Sequence, residues 1–215
     1  ALQKRTFGYQ SIGIKCYWFL GSPYKRKLNQ RQTQKFVQIV NRQYTIIFWD
    51  IKAKIFRLVK LAIKEKPLSL KGVTRDYRIL HRLSLLQEIN PCVKKFTGGL
   101  PVICHQKIWG IQVTNHPEIY WRCLVVKRLN EIPLFTSFSL NSWLYLLKEV
   151  GLTEWVKFPC LPSSRIINDY LKVFTKQLLK SGIIMMDGQT IILIRHPSYH
   201  RSLMNQYQEI QRLIQ

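Results

Sequence analysis

Apolar positions recur at helical spacing in several stretches of this chain. Over residues 47–64, Ile47, Ile51, Ile55, Leu58 and Ala62 fall at steps of three and four, while Lys52, Lys54, Arg57, Lys60 and Lys64 fill other positions. The pattern predicts an amphipathic basic helix that Pro67 stops. A second helix is predicted over 74–89, with Thr74 as N-cap, Ile79, Leu80, Leu83 and Leu86 inward, and Asn90-Pro91 as its end. Between 100 and 126 the period changes. Short apolar runs, Pro-Val-Ile-Cys and Tyr-Trp-Arg-Cys-Leu-Val-Val, are punctuated by Gly98-Gly99, Gly110 and His116-Pro117, which predicts short strands or irregular linkers.

From Pro133 onward the pattern is clearest. Leu140, Trp143, Leu144 and Leu147 share one helical face, and Gly151 stands where a left-handed C-terminal cap is expected. A polar interval holding Pro159 and Pro162 follows. In the next predicted helix Ile167, Tyr170, Leu171, Phe174 and Leu178 face inward, and Lys172, Lys176 and Lys180 recur every fourth residue outside. Gly182 is its expected cap. Residues 183–186 and 189–194 then flank Asp187-Gly188, a two-residue hairpin signal. The predicted order is helix, helix, hairpin.

Composition changes the picture next. The 215 residues carry 34 Lys and Arg against 11 Asp and Glu, a formal charge of +23. That surplus calls for a polyanion, with binding that weakens as salt rises. No acid precedes Asp50, whereas Lys4, Arg5, Lys15, Lys25, Arg26, Lys27, Arg31, Lys35 and Arg42 all do, so this segment reads as an RNA-contacting extension. At 47% hydrophobic and 12% aromatic residues the chain can bury a core, which argues against a disordered basic tail. No apolar run reaches the length of a spanning helix. The basic helix over 47–64 would nonetheless suit an anionic membrane surface as well as RNA.

Candidate chemistry is sparse. The cysteines, Cys16, Cys92, Cys104, Cys123 and Cys160, are odd in number and form no C-x-x-C pair, which argues for a reducing compartment over a disulfide framework. Cys104, His105, His116 and Cys123 match no usual zinc spacing and read as buried cysteines and surface histidines. Among Asp50, Asp76, Asp169, Asp187 and the histidines His81, His105, His116, His196 and His200, no pair shows catalytic spacing. Asp187 is explained by a turn and Asp169 by a helix start. Arg75, Arg78 and Arg82 share a face, and spacing of i, i+3 and i+7 lets them bridge successive phosphates. Trp18, Trp49 and Trp109 can supply base stacking, with core packing as the other use of such residues.

Residues 175–191, T-K-Q-L-L-K-S-G-I-I-M-M-D-G-Q-T-I, resemble the second half of the RNA-binding domain of the small-subunit ribosomal protein S-four family. That pattern runs small residue, Arg, Gln, Leu, aliphatic, two polar positions, Gly, then alternating aliphatics ending in Asn-Gly. Lys176 replaces the Arg, Gln177, Leu178, Leu179 and Gly182 match, and Asp187-Gly188 stands for Asn-Gly. His196-Pro197-Ser198-Tyr199 resembles the Pro-Ser-Tyr that follows. L-N-S-W-L-Y-L-L-K-E-V-G-L resembles the family's first helix, with Ser142, Trp143 and Leu144 in place of its opening Arg-Leu-Asp.

The fold class expected is α+β, a basic helical N-terminal region followed by a small helix-helix-hairpin RNA-binding domain. The divisions expected are 1–130, 131–203 and a helical tail at 204–215. The resemblance implies an architectural, non-enzymatic constituent of a small ribosomal subunit, without a cofactor or metal. Its partners would be small-subunit rRNA, neighbouring ribosomal proteins and mRNA near the entry channel, and no membrane. Lys148, Arg165, Lys172, Lys176 and Lys180 would clamp phosphates, with Arg75, Arg78, Arg82, Lys25, Arg26 and Lys27 as further contacts. Mitochondrion is the location expected, with plastid and bacterial cytoplasm as alternatives. An RNA-modifying or processing factor carrying the same module, or a membrane-surface subunit of an organellar complex, stay open as other readings.

Overall fold

β-Branched and aromatic residues dominate the segments Tyr-Thr-Ile-Ile-Phe-Trp and Ile-Phe-Arg-Leu-Val, and both are strands. A computed structural model describes residues 2–85, 99–150 and 155–214. They form a mixed helix and sheet structure, α+β in class, that divides into two units. The first comprises Ala1–Lys64, Trp109–Val113 and Trp155–Tyr170, and the second comprises Glu65–Ile108, Thr114–Glu154 and Leu171–Gln215.

In the first unit, α1 (Leu2–Ser11), β1 (Phe19–Gly21), a 3-10 turn at Ser22–Lys27 and the one-turn helix α2 (Arg31–Gln34) lead into β2 (Gln38–Val40), β3 (Gln43–Asp50) and β4 (Ile55–Leu61). β3 is the organising strand. It pairs antiparallel with β4 along its length, antiparallel with β2 through Gln43–Thr45, and parallel with β1 through Ile47–Trp49. Asn41 and Arg42, both at positive φ (49° and 63°), make the tight β2–β3 turn, whose twist suits a hairpin. Ile46 and Phe48 are fully buried on one face of the sheet.

The helix expected over 47–64 is therefore replaced by a β hairpin, and the N-terminal region, expected to be basic and helical, combines helices with a basic sheet. Ile47 and Leu58 are cross-strand partners, so residues that spell one helical stripe in sequence are two strand faces meeting across a sheet. Asp50 shapes the hairpin turn, accepting from Ala53 N (3.2 Å) and Arg57 Nε (3.3 Å).

Side-chain amides and a phenol join the distant segments of this unit. Gln34 donates to Gly110 O (3.2 Å) and accepts from Gln112 N (2.9 Å). Gly110 sits at φ +116°, and a Cβ there would lie 1.7 Å from Ala62 O, so only glycine fits. Tyr44 OH donates to Asp169 Oδ2 at 2.6 Å. Asp169 lies in the second turn of its helix instead of at its start, and its role is to receive this phenol.

Two short strands, β5 (Lys64–Glu65) and β6 (Ile108–Trp109), pair with one another. The second unit contains α3 (Leu70–Leu85), a 3-10 turn at Val102–His105, α4 (Glu118–Glu131), β7 (Ser137–Ser139) and α5 (Leu140–Glu149). It continues with the second half of α6 (Ser163–Lys180), then β8 (Ile184–Asp187), β9 (Thr190–Leu193) and α7 (Leu203–Ile214). α3 begins one turn before Thr74, whose hydroxyl donates back to Leu70 O (3.0 Å) and is no N-cap. The expected end at Asn90-Pro91, Leu86, Cys92 and the Gly151 cap lie outside the described residues.

The run Tyr-Trp-Arg-Cys-Leu-Val-Val, expected as a short strand or irregular linker, is the interior of α4. Ile119, Trp121, Arg122, Cys123, Leu124, Val125 and Val126 are all buried, so the helix has no polar face to betray its period. Its start was nevertheless written in Pro117 followed by Glu118 in the first turn. Val102–His105, covered by the same expectation of short strands or irregular linkers, is a 3-10 turn.

The C-terminal elements follow the expected order. Ile166, Ile167, Tyr170, Leu171, Phe174 and Leu178 of α6 are buried. Gly182, at φ +61°, closes the helix: its N–H bonds Leu179 O (3.0 Å) and Ile183 N bonds Leu178 O (3.1 Å). β8 and β9 form a hairpin, joined by β7 in the order β7-β9-β8. Asp187 pairs with Thr190, which shifts the two turn residues by one, to Gly188-Gln189. Trp143 Nε1 donates to Thr175 Oγ1 (2.9 Å) and Trp121 Nε1 to Leu147 O (3.2 Å), so both buried indoles are satisfied.

Candidate nucleic-acid interface

Two helical segments of the second unit display cations in register. On α3 the apolar side buries Val73, Leu80 and Leu83, which leaves Arg75, Arg78 and Arg82 exposed together on the opposite side. At 1.5 Å rise per residue they extend over about 10 Å. On α6 the same geometry exposes Lys172, Lys176 and Lys180 along about 12 Å. Lys180 Nζ is engaged by Glu65 Oε2 at 2.8 Å. That pair is exposed, worth about 0–1 kcal/mol, and yields readily to a competing phosphate.

The remaining expected residues are dispersed. Lys148 is half-buried in the last turn of α5. Arg165 is exposed on the first turn of α6, belongs to the first unit and acts electrostatically on Tyr44. Lys25, Arg26 and Lys27 are exposed on the 3-10 turn after β1, where Lys27 Nζ stands 5.9 Å from the Tyr24 ring centroid. Of the tryptophans considered for stacking, Trp109 is 58% exposed and lies under Lys64 Nζ (5.3 Å), whereas Trp18 and Trp49 are half-buried.

Sequence reasoning passed over Lys66 and Arg195. With Lys180 they line a cleft of about 780 Å³ in the second unit, whose walls also carry Glu65, Glu209 and His196. Arg195 donates to the Ser181 carbonyl, which fixes its guanidinium beside the end of α6. The only signal for it was the basic residue immediately after an apolar strand.

Two buried polar groupings hold these surfaces in place. Arg122, wholly inaccessible, bonds Glu118 Oε1 through Nε (2.9 Å) and Nη2 (2.7 Å), Ile103 O through Nη1 (3.1 Å) and Gln177 Oε1 through Nη2 (3.0 Å). Its guanidinium stacks on Phe174 at 4.7 Å. Gln177 is thus an internal bracket rather than a surface contact. Asp76, also buried, meets His105 Nδ1 at 3.1 Å and forms an ion pair with Lys107.

His105 was expected at the surface, yet its side chain is fully enclosed. Burial lowers its imidazole pKa against the opposing influence of Asp76. The Cys123 thiol is pushed up, first by its hydrogen bond with Cys104 and then by burial, so it stays protonated and unreactive. His116 is half-exposed at the start of α4, and no group of three or more metal-ligating side chains gathers among the described residues.

In comparisons with known proteins, no family model, no curated protein and no solved structure matches this chain. Among the described residues no helix is long and apolar enough to cross a membrane.

Proposed function

We propose that this protein is a structural, RNA-binding constituent of an organellar small ribosomal subunit. The observation that carries the reading is the formal charge of +23, with Arg75, Arg78 and Arg82 on α3 and Lys172, Lys176 and Lys180 on α6 exposed as ordered arrays. Asp76 and Glu118 are consumed by Lys107, His105 and Arg122. The exposed arrays on α3 and α6 are cationic, at helical spacing suited to the phosphates of folded RNA. α5, α6 and the β8–β9 hairpin would form the small RNA-binding module that the sequence resembles, with Lys172, Lys176 and Lys180 as its phosphate face.

The membrane-surface alternative drew its argument from an amphipathic helix over 47–64, and that segment is a hairpin of two strands. The reading proposed here is tested by sucrose-gradient sedimentation of the native protein with ribosomal particles, followed by K172E/K176E/K180E. Co-sedimentation with small subunits that the triple variant loses, with its isolated fold intact, is the expected result. A native protein that migrates free of RNA, or a triple variant that incorporates normally, counts against it.

A further inference from the structure

The first unit leaves one face of its sheet open, and that face is aromatic. Alternation along β3 sends Ile46 and Phe48 into the core, both fully buried, and Ile47 and Trp49 to the other side. Register then aligns the neighbours. Phe19 on β1 stands opposite Ile47, which stands opposite Leu58 on β4, while Gly21, Trp49 and Phe56 form the adjacent row. Phe19, Phe56 and Leu58 are 52%, 54% and 51% exposed. Phe56 is the middle of a continuous ring cluster, 5.4 Å from Phe19 and 4.7 Å from Trp49 by centroids. At the other end this face is closed, since Thr45 is 1% exposed.

Burying such rings in a monomer's core would be the ordinary use of them, so an open cluster of three calls for a partner. Charge decides which kind. The first 64 residues carry fourteen Lys and Arg and a single acid, Asp50, and Asp50 is engaged by Arg57 at 3.3 Å. Lys60 continues the ring-bearing face of β4, about 13 Å from Phe56 along the strand, and Lys52 and Lys54 stand in the turn beyond the other end. Adjacent rings on a sheet face, inclined at 68° and 44° to one another and bracketed by cations along the strand axis, offer separate ring faces to bases and charges to phosphates of an unpaired polynucleotide. A lipid surface is better served by rings on a protruding tip, and here the three rings lie within the sheet.

We infer that Phe19, Trp49 and Phe56 form a stacking platform for the unpaired bases of a single-stranded RNA segment, whose phosphates are met by Lys52, Lys54 and Lys60. This rests on the RNA reading above, and deepens it by assigning unpaired RNA to the first unit, separately from the lysine face of α6.

The full chain is titrated with a mixed-sequence single-stranded RNA of about 12 nucleotides, with the blunt duplex of the same length, and with phosphatidylserine-phosphatidylcholine vesicles. F19A/F56A, at two exposed positions, is compared with the conservative Phe56→Tyr. The platform predicts that F19A/F56A weakens oligonucleotide binding by about tenfold or more, leaves duplex binding and the salt slope unchanged, and that Phe56→Tyr retains affinity. Oligonucleotide should also quench an emission component that Trp49→Phe removes. Equal oligonucleotide affinity for the wild type and F19A/F56A, or vesicle binding that the double variant selectively loses, overturns the platform while duplex binding keeps the RNA reading alive. Absence of any RNA binding by the wild type overturns both.

Discussion

Replacing Glu118 by alanine removes three hydrogen bonds that converge on one oxygen. Glu118 Oε1 accepts from Arg122 Nε and Nη2 and from Ile108 N, at 2.9, 2.7 and 3.0 Å. Arg122 would keep the neutral acceptors Ile103 O and Gln177 Oε1 but lose its carboxylate, and its side chain is wholly buried. Stranding one member of a buried ion pair costs about 3–5 kcal/mol. Glu118 retains 21% side-chain exposure, so water partly fills the vacancy, and about 2–4 kcal/mol is the expected loss. Urea denaturation followed by far-ultraviolet circular dichroism measures it. Replacing both partners, E118A with R122M, should recover much of the loss, because the methionine side chain suits the apolar pocket against Phe174. A cost for E118A near that of an ordinary surface substitution, about 0.5 kcal/mol, would refute the claim that this oxygen holds the arginine in place.

His105 supplies a pH test. Its folded pKa lies below the ordinary 6.5 because the ring is buried among Asp76, Lys107 and Arg122, so the unfolded chain takes up the proton first. Stability is whole above about pH 6.5 and declines as pH falls from there toward the folded value; H105Q should flatten the denaturation midpoint between pH 7 and 5, and parallel profiles would contradict the assignment. Gly110→Ala should cost several kcal/mol, since its Cβ meets Ala62 O at 1.7 Å, whereas Gly188→Ala, with open space around it and φ +57°, should cost about 1–2 kcal/mol. Thermal melts of the two variants distinguish the cases, and equal shifts would show that φ alone sets the penalty.

The C-terminal helices and hairpin were legible because each half-buried element has a solvent side: Lys172, Lys176 and Lys180 alternate with Leu171, Phe174 and Leu178, and glycine marks the stop. α4 was opaque for the opposite reason. Over residues 119–126 it is buried on every side and carries no period, and the one cation in that stretch, Arg122, is turned inward toward Glu118, while Lys127 and Arg128 come only at its end. The hairpin β3–β4 misled because its turn has no glycine or proline; Lys54 adopts φ +51° instead. Local charge arrays could be seen from helix arithmetic. The ring cluster could not, since it assembles Phe19, Trp49 and Phe56 through a register between three strands, one of them parallel. The Asp76–His105 contact likewise joins residues 29 apart that no spacing rule connects.

β4 has one further property. Among the described residues no strand pairs with its outer side, so that margin is a sheet edge, flanked by the exposed Arg57 and Lys60. Two copies approaching along these margins repel while their charges are bare. Neutralising the charges lifts that repulsion, so a newly made chain is safest if the margin is covered no later than the cations are, and assembly that reverses this sequence invites strand-to-strand aggregation.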